Sequence, residues 1–151
     1  MSNDRIKVLF ICTGNSCRSQ IAEAILREKG ACCFEAYSAG TEPKPIHPST
    51  IEVMKEKGID MSQHRSKDIK EFLGKLELDY AVIVCDKAAQ ACPRIWPGLK
   101  NHPLHWSFED PASVTGSDEE KLQKFREVRD LIERKIDMFV EVLGVRNCCG
   151  R

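Results

Sequence analysis

The sequence predicts a single α/β domain over residues 1–151, built in three layers, with a parallel four-stranded sheet and helices on both of its faces. Three observations lead there. Strand-like apolar runs alternate with stretches of helical periodicity, the pattern of parallel strands joined by crossover helices. The runs Val8–Cys12 and Ala81–Cys85 are apolar without a break, as strands buried on both faces are. A chain of 151 residues, 42% hydrophobic and 30% charged, has the size and composition of one globular domain rather than of a disordered or fibrous protein.

Taken in order, Lys7–Cys12 reads as the first strand, ending in a polar turn that contains Gly14. From about Cys17 to Lys29 the apolar residues Ile21, Ala22, Ile25 and Leu26 recur at helical spacing, with Gly30 placed to cap the end. Phe34–Ala39 is a second strand, closed by Gly40. Pro45 and Pro48 mark a loop. Ser49-Thr50-Ile51-Glu52 then has capping-box spacing and opens a short helix to Lys57, with Gly58 just beyond it. Tyr80–Cys85 is the third strand, Asp86–Cys92 a helical turn or two stopped by Pro93, and Leu104–Trp106 a weak fourth strand. Ser117-Asp118-Glu119-Glu120 is a second capping box. It starts a long helix that carries Leu122, Phe125, Val128, Ile132, Ile136, Phe139 and Leu143 on one stripe. Ligands of such sheets bind outside the carboxyl ends of the strands, and Cys12 and Cys85 both sit at such ends.

The charge balance narrows the function. Lys+Arg and Asp+Glu both total 23, so the basic surplus of a nucleic-acid or anionic-membrane binder is missing, and neither partner is expected. The apolar runs fall far short of the ~20 residues that span a bilayer. Met1-Ser2-Asn3-Asp4-Arg5 lacks the apolar stretch of a secretory signal, so a cytoplasmic monomer is expected. In a reducing compartment the eight cysteines point to catalysis, redox exchange or metal binding rather than to a disulfide scaffold.

Cys12-Thr13-Gly14-Asn15-Ser16-Cys17-Arg18-Ser19 carries the most chemistry. It joins a strand to a helix N-terminus, where backbone N–H groups and the helix dipole together suit a tetrahedral oxyanion. Gly14 permits backbone angles that side chains forbid, and Asn15 tolerates them better than most residues. The planar fork of Arg18 can hold two oxygens of the same anion. The same surroundings favour the thiolate of Cys12, the form that acts as nucleophile, and the Ser19 hydroxyl can stabilise it further. The loop thus makes a nucleophile and holds an electrophilic oxyanion over it.

Cys12, five residues, then Arg18-Ser19 directly after the first strand, with Asp110-Pro111 toward the C-terminus, resembles the low-molecular-weight tyrosine phosphatases. The resemblance implies their fold and gives Asp110 the role of general acid, which a departing oxygen requires. Those phosphatases usually carry aromatic residues right after Asp-Pro. Here Ala112 and Ser113 follow, so a stacking wall for a phenol is missing. Within the superfamily the chain is more similar to the thioredoxin-coupled arsenate reductases, from about Ile6 to Leu143. The features that carry this are Cys85 at the end of the third strand, Cys92 seven positions on, Tyr37-Ser38-Ala39-Gly40, His64-Arg65-Ser66 and Glu109-Asp110-Pro111-Ala112.

That resemblance implies reduction of arsenate to arsenite, with phosphate or sulfate as analogues and thioredoxin as the electron donor. No tightly bound cofactor is expected. Cys12 attacks arsenic, Cys85 attacks the Cys12 sulfur, and Cys92 then attacks Cys85, so that the disulfide moves outward. Seven residues of continuous helix would hold Cys85 and Cys92 about 10.5 Å apart along the axis. A disulfide tolerates about 7 Å between Cα atoms, so the segment 86–92 is expected to unwind on oxidation. The alternatives are a phosphatase of the same fold and a non-enzymatic thiol redox sensor or metal-binding module.

The resemblance also assigns supporting residues. Asn15, Glu23 and Ser38 match positions that bind potassium in one branch of the reductases. The further acidic ligand falls at Lys67, whose ammonium is expected to replace the cation and leave activity independent of potassium. His64 is expected to order the Asn15 region by hydrogen bonding. Cys17 reads as packing, as do Trp96 and Trp106. The adjacent pairs Cys32-Cys33 and Cys148-Cys149 fit no standard zinc spacing and read as surface thiols.

Overall fold

The structure, a computed structural model, describes residues 5–91 and 98–144. Its sheet has four parallel strands in the order β2-β1-β3-β4, with β1 Ile6–Cys12, β2 Phe34–Gly40, β3 Tyr80–Ile83 and β4 Leu104–His105. The helices are α1 Arg18–Gly30, α2 Pro48–Lys55, α3 Asp86–Ala91 and α4 Asp118–Val142, with short 3-10 turns at Ile69–Glu71 and Pro111–Ser113. The chain steps from β1 to β2 in one direction and returns across β1 to β3. Because parallel crossovers are right-handed, that reversal sends the connections to opposite faces of the sheet. The reversal lies at β1, so the crevice opens at the end of the strand that carries Cys12.

The central strand explains the fold's stability. Val8, Leu9, Phe10 and Ile11 are fully buried, and so are Ala81 and Val82 on the neighbouring strand and Val84 just past its end. Each large aliphatic or aromatic side chain removed from water in this way contributes about 1.5–3 kcal/mol before entropy is charged against it. The α4 stripe forms as its periodicity predicts, with Phe125, Val128, Ile132, Ile136 and Phe139 buried. Ser117 and Glu120 close the predicted capping box at its start. The Arg129 guanidinium fastens α4 to α2 through the Val53 carbonyl at 2.9 Å and Glu56 at 2.7 Å, and it holds the Glu56 carboxyl below the usual range. Trp106 packs against Phe10 and Phe139, as expected of a packing residue, whereas Trp96 lies outside the described residues.

Three local expectations are corrected. Gly30 is the last residue of α1 rather than its left-handed cap, and the cap residue Ala31 is right-handed. Packing is what requires glycine there, since a Cβ would stand 2.7 Å from the Phe34 ring. The capping box at Ser49–Glu52 does not form. α2 starts at Pro48, two residues earlier than a Ser49 cap would set it, and the fixed φ of Pro48 suits a first helical position, while the His47 imidazole caps the helix by accepting from the Ser49 N–H at 3.0 Å. Finally, Cys32 and Cys33 are disulfide-bonded rather than free surface thiols. The turn after α1 carries Cys33 into the core, where it is 8% exposed. Cys148 and Cys149 lie outside the described residues. Among the described residues no helix is long and apolar enough to cross a membrane, and no cluster of three or more His, Cys, Asp or Glu could hold a metal ion.

Candidate active site

The loop after β1 has its polarity sorted by hydrogen bonding. The carbonyls of Cys12, Thr13, Gly14 and Ser16 accept from the backbone N–H groups of Thr41, Glu42, Lys44 and His47. The Asn15 carbonyl accepts from the Ser66 hydroxyl, and the Ser16 carbonyl accepts again from Thr50. With its carbonyls engaged by the surrounding segments, the loop is left with N–H groups to face the other way. The Asn15 N–H donates to the Cys12 sulfur at 3.1 Å. Asn15 takes the left-handed conformation, at φ 51° and fully buried, that this inward turn requires.

Gly40 makes the close approach possible. A Cβ there would stand 2.5 Å from the Thr13 oxygen and 2.9 Å from the Asn15 nitrogen, so no side chain fits between β2 and the loop. Sequence reading used Gly40 only as a strand terminator. Its real constraint, contact with a loop 25 or so positions away, depends on the β1–β2 register that pairs Cys12 with Gly40.

A chain of buried amides and hydroxyls fixes the donor that faces the Cys12 sulfur. The Asn15 Oδ1 accepts from Gln20 Nε2 at 3.0 Å and from the Lys67 N–H at 2.8 Å. Its Nδ2 must therefore be the end that donates to Ser19 Oγ, at 2.8 Å. The Ser19 oxygen is thus an acceptor, and its own proton is free to point at Cys12 Sγ, 2.8 Å away. Two donors, the Asn15 N–H and the Ser19 O–H, converge on one sulfur, which is the arrangement that stabilises a thiolate. Gln20, fully buried, was not singled out in the sequence: a glutamine on a helix carries no signal of burial until the 64–67 segment is packed over it.

The cleft above Cys12 has a volume of about 800 Å3, and Arg18, Cys85, Asp86, Lys87 and Asp110 line it with the loop. Arg18 donates to the Phe108 carbonyl at 3.0 Å, and its second terminal nitrogen lies 3.9 Å from Asp110 Oδ2. Its Nε is buried with no hydrogen-bond partner among the described residues, a donor suited to an oxyanion. The other Asp110 oxygen accepts from the Ala112 N–H at 2.9 Å and starts the Pro111–Ser113 turn, which orients the carboxyl at the rim. Cys12 and Cys85 are both free thiols, each 2% exposed, and the Thr13 hydroxyl lies 3.5 Å from the Cys85 sulfur. Cys85 also accepts from the Ala88 N–H at 3.4 Å, in the first turn of α3. Cys17 packs against Val53 and Phe125, and burial pushes its thiol pKa up, in keeping with its reading as a packing residue. Cys92 lies outside the described residues.

The family model described as low molecular weight phosphotyrosine protein phosphatase matches residues 7–147. The chain belongs to this family. Within it, the chain is 44% identical over 135 residues to a protein named arsenate reductase from Halalkalibacterium halodurans, covering 89% of this chain and 94% of that one. Among solved structures it is similar to an arsenate reductase in the phosphate binding state, with a TM-score of 0.71, 31% identity, and coverage of 90% of this chain and 97% of that chain. It is also similar to the thioredoxin-dependent arsenate reductase of Corynebacterium glutamicum, with a TM-score of 0.65 and 27% identity, covering 94% of this chain and 65% of that one.

The supporting residues gather behind the phosphatase-type loop. Glu23 Oε1 accepts from the Ser38 hydroxyl at 2.5 Å, and Glu23 Oε2 pairs with Arg27 at 2.8 Å. The Lys67 ammonium lies 3.7 Å from Glu23 Oε1 and donates to the Arg65 carbonyl at 2.7 Å. A potassium ion there would need these oxygens together with Asn15 Oδ1. Each of them already accepts from a protein donor, and an ammonium stands among them, so the residues present do not fit potassium. His64 reaches Asn15 only through an intermediary: its Nδ1 is 3.3 Å from Gln20 Oε1.

Burial holds the His64 pKa below the ordinary imidazole value, while nearby Glu23 raises it and Arg27 and Lys67 lower it. The folded chain therefore favours the neutral ring, and on acidification the unfolded chain takes up the proton first. Stability contributed this way is present above about pH 6.5, the unfolded imidazole value, and is lost as the pH falls from there toward the lower folded value. Thermal midpoints between about pH 7.5 and about pH 5.5 should consequently fall more steeply for the wild type than for His64→Gln, which does not titrate in that range. Parallel slopes would refute the assignment.

Proposed function

We propose that this chain reduces arsenate to arsenite by a relay of thiols, with thioredoxin as the protein that restores it. The observation that carries the reading is a free thiol brought into the nucleophile's cleft from beyond the loop itself: Cys85, just past β3, lines the cleft with Cys12, its sulfur 3.5 Å from the Thr13 hydroxyl. A phosphatase needs only one such sulfur. The absence of aromatic residues after Asp110-Pro111 supports the same reading, because a small oxyanion needs no stacking wall.

The chemistry balances as follows. The Cys12 thiolate attacks arsenic while the loop N–H groups and Arg18 hold the oxygens. Asp110 gives its proton to the departing oxygen, which leaves as water, and Cys12 carries a thiol–arsenic(V) adduct. The Cys85 thiolate attacks the Cys12 sulfur. The electron pair of the sulfur–arsenic bond passes to arsenic, which leaves as arsenite, and the two sulfurs are oxidised to a Cys12–Cys85 disulfide. Cys92 then attacks Cys85 and frees the Cys12 thiolate, and the dithiol of thioredoxin reduces the Cys85–Cys92 disulfide. Phosphate, which cannot accept the electron pair, binds as an analogue only.

The test is arsenite production with thioredoxin, thioredoxin reductase and NADPH, run beside aryl-phosphate hydrolysis. Arsenate-dependent loss of NADPH with matching arsenite is the expected result. Ester hydrolysis without arsenite would assign the chain to the phosphatase branch. Turnover of neither substrate would leave a thiol sensor.

A further inference from the structure

Behind the nucleophile's loop lies a second cavity of about 320 Å3, lined by Glu23, Arg27, His64, Arg65, Lys67 and Glu71 among others. Its inner wall holds an unusual charge arrangement. Glu23 is 2% exposed and sits on α1, five residues beyond Arg18. The Lys67 side chain, 12% exposed, is turned inward toward it rather than out to water. Burial pulls the Lys67 pKa down while the Glu23 carboxylate pulls it back up. Inward placement costs desolvation that a solvated surface lysine would avoid, so the contacts it makes are what offset that cost.

Those contacts lead to Cys12. The ammonium bridges Glu23 and the Arg65 carbonyl, and that same carbonyl accepts from Gln20 Nε2 at 2.9 Å. The Lys67 backbone is held on both sides: its N–H donates to Asn15 Oδ1, and its carbonyl accepts from the Gly40 N–H at 2.8 Å. Whatever fixes the 65–67 segment therefore fixes the two donors on Asn15 Oδ1, and through them the amide orientation that leaves the Ser19 proton for the Cys12 sulfur.

We infer that Lys67 is a positioning residue whose ammonium serves as a built-in monovalent cation, locking the 65–67 segment against Glu23 so that the Asn15–Ser19 relay points its proton at Cys12. The inference rests on Cys12 being the nucleophile, as in the function proposed above. The charged groups around the ammonium are Glu23 and Arg27 from α1, His64 and Arg65 from the loop that bears it, and Glu71 from the following turn. Two consequences follow. The wild type has no use for an added monovalent cation. Truncating Lys67 leaves a cation-sized space bounded by the Glu23 carboxylate and the Arg65 carbonyl, in which an exogenous cation restores what was removed.

The experiment reads alkylation of Cys12 by iodoacetamide, mapped by mass spectrometry, at neutral pH and matched ionic strength. It needs neither arsenate nor a reductant, so its outcome is separate from whether the chain turns arsenate over. Wild type should alkylate at one rate in potassium, sodium and choline chloride. Lys67→Met should alkylate Cys12 roughly fivefold more slowly in all three, the scale of one lost hydrogen bond to the thiolate. Lys67→Ala should be equally slow in choline and recover at least half of the loss in potassium or methylammonium. A purely structural role would lower the thermal midpoint without this ion-specific rescue. Wild-type rates that rise specifically with potassium, truncated variants that alkylate at the wild-type rate, or a slow Lys67→Ala that no cation restores would each overturn the inference. Lys67→Arg, which keeps the charge, decides the matter where the uncharged variants do not fold: a rate close to wild type is expected, and a rate below about a tenth of it would overturn the inference.

Discussion

A Cys12→Ser variant is expected to lose arsenate reduction and aryl-phosphate hydrolysis together, each by roughly 10^4-fold or more, the scale on which loss of a covalent nucleophile acts. The fold should survive. Serine is smaller than cysteine, Cys12 is 2% exposed at the end of a strand, and the Ser19 hydroxyl and Asn15 N–H that now meet the sulfur can meet an oxygen as well. Oxyanion binding should survive too, because Arg18 and the loop N–H groups are untouched. What disappears is the anion. A thiol gives up its proton far more readily than an alcohol, whereas a serine hydroxyl has no adjacent base to remove its proton. Phosphate binding by calorimetry beside both activity assays separates these effects. Retained turnover of either substrate in the serine variant would remove Cys12 from the mechanism.

Cys85→Ser is expected to separate the two reactions. Arsenite formation should fall about 10^3-fold or more, while aryl-phosphate hydrolysis continues within a few-fold of wild type. The Cys85 side chain meets the Thr13 hydroxyl at 3.5 Å and the Ala88 N–H at 3.4 Å, and a serine oxygen satisfies both. An oxygen cannot take up the bond to the Cys12 sulfur that lets the electron pair go to arsenic, so the reaction halts at the adduct and returns to arsenate by hydrolysis. Arsenite assays with thioredoxin and ester assays on the same preparation decide it, and normal arsenate reduction by this variant would end the relay as drawn. The fold also sets a condition on the later step. α3 starts at Asp86, directly after Cys85, and its first residue is tied to His105 of β4 at 3.0 Å and to Ser107, just beyond that strand, at 3.0 Å. Seven residues of continuous helix would span about 10.5 Å, too far for a disulfide, so the proposed outward step is expected to unwind α3 and release the Asp86 contacts.

The legible parts of this chain were those in which one short stretch contains its own reason. The Cys12 loop declares itself because strand, glycine, arginine and serine lie within eight consecutive residues. The long helix does so because its stripe and its capping box repeat the helical period. Gly30 and the Ser49–Glu52 box were misread for the opposite reason. Glycine after a helix is ambiguous between a left-handed cap and a tight contact, and the Phe34 ring that settles it belongs to another element. Likewise, a capping-box spacing loses to a proline at the first helical position when the residue before it can cap.

By itself, then, the order of residues determined the parallel sheet and marked Cys12 and Arg18 as an oxyanion loop, because these follow from local periodicity or from spacing within one turn, whereas Asp110 was marked only through the family resemblance. Only the tertiary structure decided that Cys85 stands beside Thr13, that Gln20 and the Lys67 N–H share the Asn15 oxygen, and that Gly40 must lack a side chain. Apart from Gln20 and Asn15, those facts join residues 25 to 72 positions apart, and such distances close only when buried strands fall into register and every polar group trapped beneath them has to find a partner.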